Sequence, residues 1–243
     1  MNFKKRIRSI TNRSKRRFFY FGWPRYCPVC ETKSQAFGPF GVNPRSDAQC
    51  PTCGSLERHR LLIIFLREKT NLFDGKEKKF LHVAPEPAFI VMFAKAAGNG
   101  YLTADLFAKN VMEKMDITNI QHPNNIFDII YCSHVLEHVP DDRKAMSEFY
   151  RILKPGGWAI LNVPITADVT FEDPSVTDPD DRLRLFGQRD HVRRYGPDYE
   201  NRLVNVGFKV KRYAPSDLMT NWEIEKLGIT NSAAGDVFYC RKM

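Results

Sequence analysis

One pattern in the middle of the chain limits the possible folds more than any other. Residues 127–132 form an apolar run that predicts a buried strand, residues 140–154 have the spacing of an amphipathic helix, and residues 159–163 predict a second strand. Two strands joined by one helix form a β-α-β unit, in which the strands are parallel. The pattern therefore predicts an α/β fold with a mostly parallel sheet.

Polar side chains follow the first of these strands directly. Ser133, His134, Glu137 and His138 all come just after its predicted carboxyl end. Open α/β sheets bind their ligands in the crevice beyond the carboxyl ends of the strands. We therefore expect these side chains to border a ligand site.

This block resembles a known family. His134-Val-Leu-Glu137-His138, followed by Arg151-Ile-Leu-Lys-Pro-Gly-Gly157 and an apolar strand, is similar to the fourth and fifth motifs of class I S-adenosylmethionine-dependent methyltransferases. The resemblance covers about residues 79–212. It implies a Rossmann-like, seven-stranded sheet with helices on both faces and an antiparallel last strand. It also implies S-adenosylmethionine as cofactor and O- or N-methylation of a small-molecule or glycan acceptor.

The cofactor residues implied by the resemblance lie around two further predicted strands. Residues 79–84 predict the first strand of the domain, and residues 101–104 predict the next, which ends at Asp105. Asp105 resembles the carboxylate that holds the ribose hydroxyls, and Asp116 resembles the acid beside the adenine. An ordinary loop acid remains an equal alternative for Asp116. Ser133 and His134 complete the expected cofactor-binding residues.

The first motif departs from the family pattern of an acid followed by G-x-G-x-G. His82 stands at the acidic position, while Ala84 and Glu86 replace the first two glycines. Pro85 and Pro87 are expected to stiffen the turn in place of the glycines. The Glu86 carboxylate is suited to pair with the ammonium group of the cofactor, and we include Ala84 and Glu86 among the expected cofactor-binding residues.

The candidate catalytic residues are three histidines and a tyrosine. His134, His138 and His191 have imidazoles that titrate near neutrality, which suits removal of a proton from an acceptor, and Tyr195 is suited to orient that acceptor. A structural role remains the alternative for each. His134 to His138 also matches H-x-x-E-H, an inverted zinc-protease pattern. Because Pro140 follows so closely, no long helix is expected to carry that motif.

The cysteines near the start of the chain predict a zinc ribbon. Cys27, Cys30, Cys50 and Cys53 have the spacing C-x2-C-x19-C-x2-C, which suits a closed, structural four-thiolate zinc site. A pair of disulfides is the alternative, which reducing surroundings disfavour. A helix over residues 55–69 is expected to follow. Its first turn, residues 57–60, is interpreted as a solvated face, with contact to substrate as the alternative.

Positive charge is concentrated before the ribbon. The net charge is +9, and nine basic side chains precede the first acid, Glu31. Residues 3–25 are therefore a candidate surface for RNA or anionic membrane, with a solvated tail as the alternative. An RNA methyltransferase that clamps RNA with this arm and the ribbon is the second functional hypothesis. A non-catalytic, methyltransferase-like binding protein is the third.

These features divide the chain into four predicted parts. They are a basic arm (1–25), a zinc ribbon (26–54), a connecting helix (55–75) and a methyltransferase domain (76–243). Residues 164–188 are predicted to form a loop without a helix. No apolar run reaches the roughly 18 residues that a membrane span needs. A cytoplasmic protein is therefore expected, with peripheral membrane contact through the basic arm as an option.

Overall fold

The structure is a computed structural model that describes residues 22–41, 44–230 and 232–243. The chain divides into two compact units. The cysteine unit contains the described residues up to 71 together with 214–234, and the sheet unit contains residues 72–213 and 235–243. Most of the predicted basic arm lies outside the described residues.

The described elements are named here in chain order. The strands are β1 Arg25–Cys27, β2 Thr32–Ser34, β3 Gly38–Phe40, β4 Arg45–Gln49, β5 Phe80–Val83, β6 Tyr101–Asp105, β7 Glu113–Lys114, β8 Phe127–Ser133, β9 Leu153–Asn162, β10 Phe171–Glu172, β11 Arg193–Arg194, β12 Lys209–Tyr213 and β13 Val237–Arg241. The α-helices are α1 Glu57–Lys69, α2 Ile90–Ala97, α3 Asp142–Ile152, α4 Pro179–Phe186, α5 Tyr199–Val206 and α6 Asn221–Lys226.

The cysteine unit is built on two short antiparallel hairpins, β1-β2 and β3-β4, followed by helix α1. Arg60 of α1 is fully buried and holds this unit together. Its guanidinium donates hydrogen bonds to the carbonyl oxygens of Ala48 (2.9 Å), Leu227 (2.5 Å) and Gly228 (2.9 Å). Arg60 therefore ties the second hairpin to the returning segment 214–234.

The first turn of α1 corrects one sequence interpretation. Glu57, His59 and Arg60 are all buried, so this turn is not a solvated face. Arg45 donates two hydrogen bonds to the Glu57 carboxylate, at 3.0 and 3.2 Å. His59 Nδ1 accepts the backbone N–H of Leu56 at 3.0 Å, which satisfies one donor at the start of the helix. Sequence alone could not show that these charges had partners within the unit.

The sheet unit contains a seven-stranded sheet in the order β12-β13-β9-β8-β5-β6-β7. The pairs from β9 to β7 are parallel, whereas β13 pairs antiparallel with both of its neighbours. The mostly parallel sheet with an antiparallel last strand, implied by the family resemblance, is confirmed.

The central strands are buried on both faces, which explains their continuous apolar sequences. Every residue of β5 is buried, and in β8 only Asp128 is partly exposed. Helix α3 packs its apolar residues, including Met146 and Phe149, into the same core. Asp141 begins this helix by accepting the backbone N–H of Lys144 at 2.9 Å.

Helix α4 overturns the prediction of a helix-free loop over residues 164–188. Asp178 caps its start by accepting the backbone N–H groups of Asp180 (2.8 Å) and Asp181 (3.1 Å), and Pro179 occupies the first turn. Gly187 ends the helix with a φ of 90°. The acidic composition of this stretch suggested a loop, although Pro179 at the start and Gly187 at the end are typical helix boundary residues.

The structure also groups residues 214–234 differently from the sequence-based division. That division placed them in the methyltransferase domain, whereas they belong to the cysteine unit. The chain leaves the sheet after β12, contributes this segment to the cysteine unit, and returns as β13. Across the described residues, none of the helices has the length and apolar character needed to cross a membrane.

Candidate functional site

A cavity of about 630 Å³ lies at the carboxyl ends of the parallel strands. Strand-end residues contribute to its lining, including Ala84 after β5, Asp105 of β6 and His134 after β8. These three strands are direct neighbours in the sheet. The cavity therefore occupies the crevice where an α/β sheet binds ligands, and its volume is within the usual range for a small-molecule site.

Two acids line one part of this cavity. Asp105 Oδ1 accepts the backbone N–H groups of Phe107 and Ala108, both at 2.6 Å. Asp116 Oδ1 accepts both the N–H and the hydroxyl of Thr118 at 2.8 Å, and these bonds lower the pKa of Asp116. Both carboxylates are therefore held in fixed orientations.

Ala84 and His134 have unusual backbone conformations where they border the cavity. Their φ values are 46° and 55°, in the left-handed region that favours glycine. Each is held by a backbone hydrogen bond, from Ala84 N to Ala104 O at 2.8 Å and from His134 N to Asn162 O at 2.9 Å. Ala84 thus adopts a glycine-like conformation at the first glycine position of the family motif. Such strain concentrates at functional sites.

His82 explains how the turn after β5 forms without glycine. The imidazole is fully buried, its Nδ1 lies 2.7 Å from the Tyr101 hydroxyl, and its Nε2 accepts the backbone N–H of Glu86 at 3.2 Å. Burial lowers the pKa of His82 to about 4. A neutral imidazole therefore replaces the usual acid and fixes the turn.

Glu86 was expected to meet the cofactor, but it is not among the cavity-lining residues. Its carboxylate accepts a 2.6 Å hydrogen bond from the hydroxyl of Tyr131 in β8. Ser133, at the end of β8, is buried and does not line the cavity either. The structure therefore places Ala84, Asp105, Asp116 and His134 at the cavity and the other two expected residues beside it.

His138 and Asp190 also line the cavity. Asp190 Oδ2 lies 3.2 Å from His138 Nδ1. His134 Nδ1 lies 3.4 Å from Glu137 Oε1, and the Glu137 carboxylate is buried. Two of the three candidate catalytic histidines thus reach the cavity.

His191 contacts His138 but does not itself line the cavity. Its ring packs edge-on against the ring of His138, with centroids 4.6 Å apart. Its Nδ1 lies 3.3 Å from the carbonyl oxygen of Phe186, while its buried Nε2 has no hydrogen-bond partner in the described part of the chain. Burial, followed by the neighbouring His138, lowers the pKa of His191.

Tyr195 does not reach the cavity. It is fully buried, and its hydroxyl donates a 2.6 Å hydrogen bond to Asp142 at the start of α3. Burial, and then the Asp142 carboxylate, raise the pKa of Tyr195 well above its usual value. Arg202 also donates to Asp142, at 2.9 Å. Tyr195 thus belongs to a buried charged network, which does not support the predicted contact with an acceptor.

Arg193 fixes the loop between β8 and α3. It is buried, and its guanidinium also contacts Glu172 at 2.8 Å. It donates hydrogen bonds to three carbonyl oxygens of the loop, those of Leu136 (2.7 Å), Val139 (2.5 Å) and Pro140 (2.8 Å). These hydrogen bonds from Arg193 therefore fix the backbone of the loop that carries His138.

The inverted zinc-protease interpretation is wrong. Such a motif needs its two histidines one turn apart on a helix. Here Leu136–His138 is a single 3-10 turn, and His134 precedes it in a left-handed conformation. This agrees with the expectation, based on the nearby Pro140, that no long helix carries the motif.

The four predicted zinc ligands come together in the cysteine unit. Four sulfur atoms lie within 4.8 Å of one another, those of Cys27, Cys30, Cys50 and Cys53. None of these cysteines forms a disulfide. The closest pairs, Cys27 with Cys53 and Cys30 with Cys50, are 3.7 Å apart. That separation excludes disulfides, whose sulfurs lie about 2.05 Å apart. This set is called the cysteine cluster below.

Few features of the sequence indicated the rest of the cavity lining. Asp190 was overlooked because a single acid in a charged stretch is not distinctive. Leu106 and Phe107 are better marked in the sequence, because two large apolar residues directly follow an acid at a predicted strand end. Both side chains are exposed in the structure. The remaining residues without a predicted role are Val83, Met115, Ile117, Thr118, Val135, Val139, Pro140 and Asp141.

Comparison with known proteins agrees with this geometry. Residues 78–161 match the methyltransferase domain family. The chain is 42% identical over 41 residues to the ubiquinone biosynthesis O-methyltransferase of Thiobacillus denitrificans, which is 17% of each protein. It is 41% identical over 44 residues to the probable methyltransferase ltbC of Aspergillus luteorubrus, 17% of this chain and 15% of that protein. The chain thus spans about a sixth of the length of the curated relatives it matches.

A solved structure, the S-adenosylmethionine-dependent methyltransferase of Mesorhizobium loti, is similar over 69% of this chain and 92% of that one, with 15% identity and a TM-score of 0.47. The matched family segment runs from just before β5 to the last residues of β9, and so contains the strands whose ends form the cavity. Residues 78–161 thus match a methyltransferase domain, and the seven-stranded sheet that contains them has the Rossmann-like fold expected of class I S-adenosylmethionine-dependent methyltransferases.

Proposed function

We propose that this protein transfers the methyl group of S-adenosylmethionine to an oxygen or nitrogen atom of a small-molecule or glycan acceptor. The observation that carries the proposal is the strand-end cavity, which is lined both by Asp105 and Asp116 and by His138 and Asp190. One set of side chains suits a nucleoside and the other suits a polar acceptor.

The residues present fit the nucleoside end of the cofactor. Asp105 is held through Oδ1 by two backbone N–H groups, so Oδ2 is oriented to accept the two ribose hydroxyls. Apolar side chains line the same cavity and suit the faces of a purine ring, namely Leu106, Phe107, Met115 and Ile117. Asp116 is assigned to the adenine edge.

The amino-acid end of the cofactor is assigned to the turn after β5. Ala84 lines the cavity, and its left-handed conformation gives the backbone the path that glycine normally provides. Glu86 stays the proposed partner of the cofactor ammonium, now with its carboxylate oriented by Tyr131. Replacing Glu86 with Gln keeps an acceptor for Tyr131 and removes the charge, which tests this pairing by calorimetry.

When bound, the cofactor supplies an electrophilic methyl group, and the protein supplies alignment, a dry cavity and removal of the acceptor's proton. His134 and His138 line the cavity and are the groups placed to receive that proton. His191 contacts His138 from behind, so we assign it to the same part of the site. Tyr195 is assigned a structural role because its hydroxyl is committed to Asp142.

We also propose that the cysteine cluster holds a structural zinc ion. Zinc bound to four thiolates at about 2.3 Å in a tetrahedron places the sulfurs about 3.8 Å apart. The two measured pairs are 3.7 Å apart. Ser55 supports the cluster, with its hydroxyl 3.1 Å from Cys27 Sγ and 3.2 Å from Cys53 Sγ. Reduced cysteines in this arrangement also fit the expected cytoplasmic location.

Product formation tests the proposed function. The intact, zinc-loaded chain is incubated with S-adenosylmethionine and panels of phenols, sugars, amines and RNA, and S-adenosylhomocysteine is quantified. We expect stimulation by one class of small hydroxyl or amine acceptor, and a thermal shift with S-adenosylhomocysteine alone. Stimulation only by RNA would instead favour the RNA alternative, whose basic arm lies mostly outside the described residues. Absence of both binding and product would refute the proposal.

A further inference from the structure

A second group of metal-ligand side chains lies in the sheet unit. One ligand atom from each of Glu137, His138 and His191 lies within 4.8 Å of the other two. Glu137 is 2% exposed and His191 is 6% exposed. Glu137 Oε2 and His191 Nε2 are both buried without a hydrogen-bond partner among the described residues. We call these three side chains the Glu137 cluster.

Two unsatisfied polar atoms in one small cluster require an explanation. A buried donor or acceptor without a partner costs about 1–3 kcal/mol, and native proteins contain few of them. The other buried polar side chains near this cavity find partners within the chain, as His82 and Asp142 do. The orphaned atoms therefore point to a bound species that is not part of the polypeptide.

The surroundings of the histidines favour a metal ion. Metal-binding histidines usually give their second ring nitrogen to a carboxylate or a carbonyl oxygen. His138 directs Nδ1 to Asp190 (3.2 Å), and His191 directs Nδ1 to the carbonyl of Phe186 (3.3 Å). In both rings this leaves Nε2 as the nitrogen for a ligand bond.

The carboxylate is oriented in the same way. His134 Nδ1 lies 3.4 Å from Glu137 Oε1, which leaves Oε2 as the unpartnered oxygen. The backbone joins the two halves of the cluster, because Val192 N donates to Glu137 O at 2.9 Å. Glu137, His138 and His191 are thus held together before any ion arrives, which reduces the entropic cost of binding.

We propose that Glu137, His138 and His191 bind a divalent transition-metal cation at the edge of the cavity. One carboxylate and two imidazoles suit Mn²⁺, Fe²⁺, Co²⁺ or Zn²⁺ better than Ca²⁺, which prefers a larger set of oxygen ligands. Three protein ligands leave coordination positions open. Since His138 also lines the cavity, we infer that the open positions receive the hydroxyl oxygen of the acceptor.

This second step rests on the proposed function, whereas the cation site does not. A hydroxyl oxygen on the cation loses its proton more easily, and the proton passes to His134, since His138 serves as a cation ligand in this arrangement. The oxygen then forms the new O–C bond with the methyl group while the C–S bond of the sulfonium breaks, giving the methyl ether and neutral S-adenosylhomocysteine. The acceptor class is therefore a hydroxyl compound, with chelating vicinal hydroxyls preferred.

Mn²⁺ binding to the zinc-loaded chain tests the site directly, because zinc already occupies the cysteine cluster. Loss of the free Mn²⁺ electron paramagnetic resonance signal is measured for the wild type and for Glu137→Gln and His191→Gln. We expect one Mn²⁺ per chain in the wild type and affinity at least about 100-fold weaker in each variant. Asp190→Asn, which removes an outer partner, is expected to weaken binding about tenfold.

A matched control lies elsewhere in the same unit. His122 Nε2 and Glu113 Oε2 are 3.0 Å apart, a histidine–carboxylate pair that belongs to no cluster of three ligands among the described residues. Glu113→Gln should leave Mn²⁺ binding unchanged. The cation site is refuted if the wild type binds neither Mn²⁺ nor a second equivalent of Zn²⁺ or Co²⁺, or if Glu137→Gln and His191→Gln bind as the wild type does.

S-adenosylhomocysteine titration of the same samples separates the two proposals. We expect Glu137→Gln to bind S-adenosylhomocysteine within about twofold of the wild type and to lose the cation dependence of methyl transfer. If the chain binds the cation but not S-adenosylhomocysteine, the proposed function fails and the cation site stands. If methyl transfer is unchanged by chelation of the second cation, the acceptor step is refuted.

Discussion

The cysteine cluster and the Glu137 cluster both gather metal-ligand side chains, but their surroundings differ. The cysteine cluster provides four sulfurs, enough to fill a tetrahedral ion, and Ser55 supports two of them. The Glu137 cluster provides three ligand atoms beside a cavity, and two of its polar atoms have no partner in the described chain. A complete ligand set is suited to stabilise a fold, whereas an incomplete one leaves room for a substrate.

The largest expected effect comes from removing the cysteine cluster. The double variant Cys27→Ser, Cys50→Ser should lose its zinc entirely and unfold the cysteine unit, because small metal-bound units fold with their ion. Metal analysis and hydrogen exchange over residues 25–69 measure both effects. Cys240→Ala, which changes a buried thiol of the sheet, is the control and should retain one zinc. Retained protection of residues 25–69 without zinc would show that the cluster does not stabilise this unit.

Arg193 fixes the loop that carries Glu137 and His138. Arg193→Gln removes a buried cation from three loop carbonyls and from Glu172, so we expect the unfolding free energy to fall by about 3 kcal/mol. Urea denaturation measures this loss. Arg194→Gln changes the more exposed neighbouring arginine and should alter stability by less than about 0.5 kcal/mol. Equal stabilities for the two variants would contradict the positioning role of Arg193.

Elements that follow a clear local pattern could be predicted from the sequence, whereas contacts between residues distant in the sequence could not. Strands β5, β6 and β8 and the second half of β9 follow apolar runs, so local pattern was sufficient to find them, whereas the short, charged β7 was not predicted. Helix α4 was missed because its acidic residues obscured a short amphipathic segment between clear start and stop signals. Arg60 was misjudged because its partners include Leu227 and Gly228, which lie far away in the sequence.

The site shows the same limit. Asp105 lines the cavity, because strand ends in a parallel sheet meet at one edge, and its role in cofactor binding stays a prediction. The contact between His138 and His191 joins two loops distant in sequence, and the composition of neither loop indicates it. Tyr195 looked like a site residue in the same stretch, yet its side chain turns into the core. The direction of a side chain in an irregular segment can be determined only from the structure.

The cofactor part of the cavity should be independent of both clusters. Asp105→Asn keeps an oxygen for the backbone N–H groups of Phe107 and Ala108 but loses the charge toward the ribose. We expect about 100-fold weaker S-adenosylhomocysteine binding by calorimetry, about 2.7 kcal/mol. Asp128→Asn, at the opposite end of the strands, should bind as the wild type does. An unchanged affinity in Asp105→Asn would remove Asp105 from the cofactor site.

His82 provides the contrast to His191, since both of its ring nitrogens are satisfied within the chain. Burial lowers its folded-state pKa to about 4, below the usual value of 6.5, so the unfolded chain binds more protons between these values. Stability should therefore fall as the pH is lowered through this window, by about 2 kcal/mol between pH 7 and 5. Urea denaturation of the wild type and His82→Gln at both pH values isolates this contribution. Parallel losses in the two proteins would contradict it.

The central claim is that the cavity at the ends of β5, β6 and β8 binds the nucleoside of S-adenosylmethionine. Calorimetric titration of the intact, zinc-loaded chain with S-adenosylhomocysteine tests it most directly. The predicted result is one saturable site per chain, weakened by Asp105→Asn and not by Asp128→Asn. A titration of the folded wild-type chain that shows no saturable binding up to about 1 mM, weaker than about −4 kcal/mol, would contradict the claim.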